Sequence, residues 1–232
     1  MDRGSELTML IASMVKEKLL QSSNSSNREA LFSLAISGGG SPAVLFELWA
    51  TEWAEKIPWE SVAFFWVDER AVPPDDPMSN YGMAKRLLFD RLPISGNNLY
   101  RIAGERDPID EALRYSSLVE SILPVKEGIP QFDLIILGVG EDGHTASIFP
   151  GQEHLYHPKC SYSTSVNPHN GQSRITMTGT TILNARKSIF YLRGESKRET
   201  IKLITSNIGN REYPAAYFLK FLKEESIFWD ER

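Results

Sequence analysis

The sequence has only one cysteine among its 232 residues, Cys160, so an internal disulfide is excluded. It also lacks any run of about 18 apolar residues, the length that a membrane-spanning helix needs. Its start includes an acidic side chain, Asp2, and no long apolar stretch, unlike a secretory signal. Acidic residues outnumber basic ones, 30 to 25, which gives a formal net charge of -5. We therefore expect a cytoplasmic protein that binds neither nucleic acid nor anionic membranes.

Short apolar runs alternate along the chain with amphipathic helical segments. The apolar runs predict strands at residues 30–36, 62–67, 132–137, 174–178 and 188–194. Apolar residues at helical spacing predict helices at 5–20, 43–56, 81–92, 108–123 and 196–205. Ser5 is the predicted N-cap of the first helix, and Pro42 suits the first turn of the second. The polar residues 21–27 indicate a surface loop.

This order of elements predicts the fold class. A chain of this length, with 41% hydrophobic residues, is expected to form a single α/β domain over residues 1–232. Apolar strands separated by helices indicate a mostly parallel central sheet that is flanked by helices on both faces. Ligands bind to such sheets beyond the carboxyl ends of the strands. Three polar loops follow predicted strands, at residues 38–42, 68–80 and 138–144, and we place the functional site where they meet.

The loop at 138–144 contains glycines at the spacing G-x-G-x-x-G, which is known from dinucleotide-binding sites. A dinucleotide site also needs a full helix after the glycines and an acid about 20 residues later. Here Pro150 and Gly151 end any helix early, and no acid occurs between Glu153 and Glu195. The glycines therefore indicate a tight bend that presents Asp142 and His144.

Two explanations of Asp142 and His144 remain open at this stage. In an isolated Asp-Gly-His sequence, a turn with a hydrogen-bonded histidine is the commoner one. A loop at the end of a parallel strand, however, is where functional residues concentrate, and histidine is suited to proton transfer near neutral pH. A nearby carboxylate would hold the ring and stabilise its cation.

The loop at 38–42 has the features of an anion site. Gly39, Gly40 and Ser41 precede a predicted helix, whose first N–H groups and a hydroxyl favour a phosphate or another anion. The lysine of a Walker P-loop is absent, and many such loops are simple strand-to-helix turns. Arg174 and Lys197 are candidate cationic contacts, and each has the alternative of being a surface charge.

Three other kinds of site are disfavoured. The nucleophile elbow G-x-S-x-G of serine hydrolases is missing around Ser41. His154, His157 and Cys160 are a conceivable metal trio, but Pro158 interrupts any helix there and no fourth ligand is near. The aromatic residues are better explained by core packing than by base stacking; they are Trp49, Trp53, Phe64, Phe65 and Trp66. We predict no metal site.

Six segments together resemble the 6-phosphogluconolactonase family, in the superfamily that also contains glucosamine-6-phosphate deaminase. They are residues 37–42 (SGGGSP), 67–82 (VDERAVPPDDPMSNYG), 133–151 (DLIILGVGEDGHTASIFPG), 173–176 (SRIT), 194–197 (GESK) and 213–216 (YPAA). The third segment is the most specific. The resemblance implies an α/β fold with a central sheet and no metal or organic cofactor. It also implies hydrolysis of 6-phospho-D-glucono-1,5-lactone, a sugar-phosphate lactone, to 6-phospho-D-gluconate in the oxidative pentose phosphate pathway.

The resemblance also assigns roles to residues. His144 matches the family's general base, and Asp142 falls in the same motif. The other matches are candidate sugar contacts, Asp68, Glu69, Arg70, Ser79 and Asn80, and candidate phosphate contacts, Arg174 and Lys197. For the hydrolysis itself, we predict that Asp142 or a neighbouring carboxylate orients the imidazole and that Arg70 or N–H groups of the loops stabilise the oxyanion. The family's usual glycine loop resembles SGGSTP, so Gly40 and Ser41 here stand where Ser and Thr are usual, and backbone contacts of the loop are the part retained.

Two other functions compete with this one. Deaminases of the superfamily resemble DGHIAFNEP, with a carboxylate shortly after the histidine, whereas residues 142–151 read DGHTASIFPG and contain none there. A non-catalytic sugar-phosphate sensor would keep an anion site but not need the pair of Asp142 and His144. The oligomeric state is not determined by the sequence.

Overall fold

A computed structural model describes residues 2–23, 31–222 and 225–231 of the chain. Its central element is a six-stranded sheet in which every neighbouring pair of strands is parallel. In spatial order the strands are β11 (Ile227–Asp230), β10 (Ser188–Arg193), β7 (Leu134–Leu137), β1 (Phe32–Ile36), β2 (Val62–Trp66) and β4 (Leu99–Tyr100). The parallel α/β architecture predicted from the sequence is confirmed.

Helices flank this sheet. They are α1 (Arg3–Ser23), α2 (Gly40–Thr51), α3 (Asn80–Ala84), α4 (Pro108–Ile122), α5 (Gly179–Asn184), α6 (Arg198–Ser206) and α7 (Pro214–Leu219). A π-helical turn, Lys85–Phe89, extends α3, and short 3₁₀ turns lie at Trp59–Ser61, Gly96–Asn98, Glu153–Leu155 and Glu195–Lys197. No helix in the described part of the chain is long and apolar enough to cross a membrane.

The segment 68–70, which the sequence places in a loop, is instead a strand. A second sheet is antiparallel and has the order β3 (Asp68–Arg70), β9 (Ser173–Met177) and β8 (Tyr162–Val166), and α4 packs against it. A short hairpin of β5 (Val125–Lys126) and β6 (Ile129–Pro130) completes the strands of the described residues. The predicted strand at 174–178 is therefore outside the central sheet. This segment, β9, pairs instead with β3 on one side and β8 on the other.

The start of the first helix differs from the prediction. Ser5 lies inside α1, and Asp2 is the capping residue, since its carboxylate accepts the Ser5 N–H at 2.8 Å. Asp2 also accepts a bond from the Ser5 hydroxyl at 3.0 Å. Of the predicted loop at 21–27, residues 21–23 are the last turn of α1, and 24–27 lie outside the described residues.

Aromatic side chains fill the core between the layers, as the sequence indicated. Trp49 of α2 is fully buried, and its ring centroid lies 5.4 Å from that of Trp59. Phe64, Phe65 and Trp66 of β2 are also buried. These residues are packing residues, and the core fixes β1 and β2 so that the loops after them are held at one edge of the sheet.

Candidate active site

A cleft of about 680 Å³ lies beyond the carboxyl ends of β1, β7 and β10. The three predicted loops meet there, together with β9 and the 3₁₀ turn Glu195–Lys197. Nine residues singled out from the sequence line the cleft: Gly39, Gly40, Ser41, Asp68, Arg70, Asn80, His144, Arg174 and Lys197. Asp142, the tenth, contacts His144. The structure thus brings together residues from distant parts of the chain at the predicted edge of the sheet.

His144 is held by the carboxylate of Asp142. Its ring Nδ1 lies 2.6 Å from Asp142 Oδ1, and its backbone N–H donates to the same oxygen at 3.1 Å. The imidazole side chain is 30% exposed and packs against the ring of Phe149, with 4.6 Å between centroids. The ring is therefore held at Nδ1 by Asp142 and on one side by Phe149, and its exposed part faces the cleft.

The protonation state of Asp142 determines which nitrogen of His144 is basic. Partial burial favours a higher pKa for Asp142, but hydrogen bonds from the side chain and backbone of His144, together with the bond from His169, hold its pKa well below the usual range. An ionised carboxylate only accepts hydrogen bonds, so Nδ1 of His144 carries the proton. The lone pair of the neutral ring is then on Nε2, which is the arrangement that a general base needs.

Two glycines of this loop meet different requirements. Gly143 adopts a positive φ of 81°, which favours glycine, and its carbonyl accepts the N–H of Ala215 at 2.9 Å. Gly140 is needed for space, because a Cβ there would overlap the imidazole of His144 and lie 2.8 Å from Asp142 Oδ1. The glycine spacing that resembles a dinucleotide motif therefore serves to position His144 and Asp142.

Arg70 and Arg174 form a cationic wall of the cleft. They are register partners on β3 and β9, and Arg174 is only 7% exposed. Burial lowers the pKa of Arg174, and the neighbouring charge of Arg70 acts in the same direction. The Nε atom of each guanidinium is buried with no hydrogen-bond partner among the described residues. Neither forms an ion pair with a described carboxylate. Arg70 is half-buried, and its Nη1 donates to the Met78 carbonyl at 2.5 Å. A buried and a half-buried cation without carboxylate partners among the described residues favour an anionic ligand.

The glycine loop and Lys197 lie on the same cleft. Gly39 has a φ of 104° and precedes α2, whose first N–H groups have no intrahelical partners. Lys197 Nζ donates to the carbonyl of Val139 at 3.0 Å, which leaves two of its three N–H donors for other acceptors. The hydroxyl of Ser41 accepts the Arg193 N–H at 2.9 Å and so ties the start of α2 to the end of β10.

Asp68 and Asn80 form a polar corner of the cleft. Ser147 donates its hydroxyl to Asp68 Oδ2 at 2.6 Å, and Asn80 Nδ2 donates to the Asp68 carbonyl at 2.8 Å. A Cβ at Gly38 would overlap the Asn80 amide. These contacts fix a carboxylate and an amide where a hydroxylated ligand is able to bind them.

Glu69 and Ser79 are placed differently from their neighbours in sequence, since neither lines the cleft. Glu69 is 1% exposed, and its carboxylate accepts the N–H groups of Arg70, Asn80 and Tyr81 and the hydroxyl of Ser79. Burial raises the pKa of Glu69, and these bonds oppose the rise. Ser79 is the N-cap of α3. Both residues shape the loop that presents Asn80.

One of the three possible zinc ligands, His157, has another contact. His157 Nε2 lies 2.7 Å from the hydroxyl of Tyr217. Within the described residues, no group of three or more His, Cys, Asp or Glu side chains is arranged to hold a metal ion.

Comparison with known proteins identifies the family of this chain. The family described as glucosamine-6-phosphate isomerases/6-phosphogluconolactonase matches residues 5–229. The chain belongs to this family. The 6-phosphogluconolactonase of Haemophilus influenzae is 40% identical over 185 residues, which are 79% of this chain and 78% of that protein. The 6-phosphogluconolactonase of Treponema pallidum is 38% identical over 174 residues, 75% of this chain and 72% of its own.

A solved structure of the family has the same fold. The 6-phosphogluconolactonase of Trypanosoma brucei superposes with a TM-score of 0.80 at 27% identity, covering 98% of this chain and 92% of that one. The catalytic mechanism of that relative was described together with its three-dimensional structure. The fold of this chain is therefore one that supports lactonase catalysis in a relative.

Sequence reasoning missed several residues of this family member's cleft. Ser147 and Phe149 follow His144 in the quoted motif, but only the fold shows that one bonds to Asp68 and the other packs on the imidazole. Asn167 lines the cleft, and His169 contacts Asp142, from the hairpin between β8 and β9. No pattern in the sequence marks that hairpin, since its approach to the histidine loop is set by the antiparallel sheet.

Proposed function

We propose that this chain hydrolyses 6-phospho-D-glucono-1,5-lactone to 6-phospho-D-gluconate, in the oxidative pentose phosphate pathway, with His144 as the general base. The observation that carries the proposal is the 2.6 Å contact between His144 Nδ1 and Asp142 in a cleft that also contains two guanidinium groups without carboxylate partners among the described residues. Membership of the family supports the reaction and the substrate. The residue roles rest on the geometry of the cleft.

Hydrolysis begins with proton transfer from water. Nε2 of neutral His144 takes a proton from a water molecule, whose oxygen forms a bond to the lactone carbonyl carbon. The electron pair of the carbonyl bond moves to its oxygen, which becomes an oxyanion. When this intermediate collapses, the bond from the carbonyl carbon to the ring oxygen breaks, and the imidazolium returns its proton to that oxygen. General acid–base catalysis of this kind contributes about 10²- to 10⁴-fold to the rate.

The cationic groups hold the other end of the substrate. Arg174 and Lys197 are the phosphate contacts expected from the sequence. We add Arg70, which the sequence made a candidate donor to the oxyanion, because adjacent guanidinium groups that no described carboxylate neutralises match a doubly charged anion. This assignment leaves the first N–H groups of α2 and the surrounding loops as donors to the oxyanion. Binding of the phosphate by these cations restricts the lactone to orientations in which its carbonyl carbon faces His144.

The deaminase alternative is disfavoured by Phe149. Counting from the histidine, Phe149 occupies the position of the carboxylate in the deaminase-type motif DGHIAFNEP. Its ring lies against the imidazole with 4.6 Å between centroids. An apolar ring neither donates nor accepts the proton that isomerisation requires at that position.

One coupled assay tests the proposal. Formation of 6-phosphogluconate is followed from freshly prepared lactone, with the spontaneous hydrolysis subtracted, and ammonia release from glucosamine 6-phosphate is measured in parallel. We expect lactone turnover that His144→Ala lowers by about 10²- to 10⁴-fold, and no ammonia. Lys197→Ala should raise KM, whereas Lys202→Ala, an exposed lysine on the neighbouring helix, should not. Turnover of His144→Ala at the wild-type rate would refute the mechanism.

Other expectations from the sequence belong to the same proposal. The chain is a single domain over residues 1–232, acts in the cytoplasm, and has no nucleic-acid partner. The formal net charge of -5 supports the last point, because any anionic ligand has to be held by local cations.

A further inference from the structure

The carboxylate of Asp142 contacts two imidazoles. Its Oδ1 bonds to His144, and its Oδ2 lies 3.1 Å from Nε2 of His169. We infer that His169 is a positioning residue for the hydrolysis: it fixes the Asp142 carboxylate and, through it, the orientation of the His144 ring. The inference rests on the proposed role of His144 as the base.

The hairpin that carries His169 has a defined conformation. The backbone bonds Asn167 N–H to Gln172 carbonyl, at 3.0 Å, and Gly171 N–H to Asn167 carbonyl, at 2.9 Å, close the turn. The side-chain oxygen of Asn167 accepts the His169 N–H at 2.9 Å, and that of Asn170 accepts the Gln172 N–H at 3.0 Å. Gly171, with a φ of 70°, supplies the positive backbone angle. The backbone of His169 is thus set by the turn.

The hairpin is also attached to neighbouring segments of the chain. Gln152 Nε2 donates to the Val166 carbonyl at 2.8 Å, just before the turn. Just after it, Gln172 Nε2 lies 3.8 Å from Met78 Sδ. Asn167 itself lines the cleft. His169 therefore reaches Asp142 from an element that is held on both sides.

Bonding at both oxygens restricts the carboxylate. Because Asp142 is ionised and only accepts, Nε2 of His169 carries a proton and donates it. With both oxygens engaged, rotation about the Cβ–Cγ bond breaks at least one hydrogen bond. Oδ1 then stays in line with Nδ1–H of His144, and Nε2 of His144 stays directed at the substrate. The His169 side chain is 67% exposed, so solvent screening limits the effect to about two- to fivefold in rate.

The test is a mutant cycle with steady-state kinetics on freshly prepared lactone. We expect His169→Ala to lower kcat by about two- to fivefold with KM unchanged, because the phosphate contacts are untouched. His169→Gln should restore most of kcat, since its amide nitrogen is able to donate to Oδ2. In an Asp142→Ala background, the further change His169→Ala should have no effect. His154→Ala, a histidine that does not line the cleft, is the matched control.

Three results would overturn the inference: wild-type kcat for His169→Ala, an equal loss in the Asp142→Ala background, or no restoration by glutamine. The variant His144→Ala separates this failure from that of the proposed function. If His144→Ala is inactive and His169→Ala is unaffected, only the role of His169 is wrong. If His144→Ala retains turnover, the proposed mechanism itself is wrong.

Discussion

Gly140 and His144 are in direct contact in a way that leaves no space for a side chain between them. A Cβ at Gly140 would overlap the imidazole of His144, and the Gly140 N–H donates to the His144 carbonyl at 2.9 Å. The glycine therefore touches both the ring and the backbone of the proposed base. Position 140 needs glycine because a side chain would not fit there. Its φ is not positive, in contrast to that of Gly143.

The change Gly140→Ala should displace the His144 ring from its seat beside Asp142. We expect kcat to fall by about 10²-fold, which approaches the contribution of the base itself, while the protein remains folded. Circular dichroism and steady-state kinetics measure the two properties. Gly96→Ala is the matched control, because a Cβ there would meet nothing within 4 Å. Equal activity of both variants would contradict the assigned contact.

The change Asp142→Asn should lower turnover through the position of the His144 proton. The pKa of Asp142 lies well below its usual range, so this carboxylate stays ionised at neutral and mildly acidic pH and only accepts hydrogen bonds from His144. An amide in its place is able to donate as well as accept, so it no longer fixes the proton of His144 on Nδ1. We therefore expect kcat to fall by at least about tenfold, through loss of orientation. Steady-state kinetics from mildly acidic to neutral pH measure the loss, and a variant with wild-type kcat would refute the orienting role.

The change Arg174→Met should increase stability while it weakens substrate binding. Burial and the charge of Arg70 both disfavour the Arg174 cation, so an apolar side chain of similar length relieves a cost to folding. We expect the free energy of unfolding to rise by about 1 kcal/mol, or Tm by about 2–4 °C. KM should rise by about tenfold or more, because a charge-assisted contact is lost.

Inorganic phosphate gives an independent check on this site. It should raise the Tm of the wild type but not that of Arg174→Met, since only a bound ligand stabilises the folded state. Arg106→Met, an exposed arginine outside the cleft, is the control for the change in net charge. A decrease in the stability of Arg174→Met would show that the arginine supports the fold.

The change Glu69→Ala should destabilise the loop that presents Asn80. Four hydrogen-bond donors lose their common acceptor, so we expect the free energy of unfolding to fall by about 3 kcal/mol. Denaturant unfolding measures this loss, and Glu60→Ala, at an exposed position, is the control. Burial raises the pKa of Glu69, so its contribution to stability is present below its unfolded pKa and is lost as pH rises through the raised value. The gap in unfolding free energy between wild type and variant should therefore narrow as pH rises from about 4, the usual pKa of a glutamate, through the raised pKa. A gap that widens would show that the hydrogen bonds outweigh the burial.

Much of this site was accessible from the sequence because it depends on local geometry. The glycines at 138, 140 and 143, the strand before them and the histidine after them are close along the chain, and the parallel-sheet rule places their loop at the ligand edge. Arg174 and Lys197 were candidates from their positions at the start of a predicted strand and a predicted helix and from the family resemblance, although either was equally explicable as a surface charge. The predicted N-cap of α1, Ser5, was wrong, and Asp2 is the N-cap. Ser and Asp are both good N-caps, and these two residues lie three positions apart.

The sequence by itself determined the main alternation of strands and helices, the parallel central sheet and the loop that presents His144, since apolar periodicity and glycine placement act over a few residues. Only the tertiary structure decided which carboxylates face the cleft. Asp68 and Glu69 are neighbours in a strand, so their side chains leave on opposite faces, and one borders the cleft while the other is buried under backbone N–H groups. The pairing of β3 with β9 and the position of the β8–β9 hairpin likewise bring together Arg70 with Arg174 and Asp142 with His169. Such contacts join segments far apart in the chain, and their partners are selected by packing.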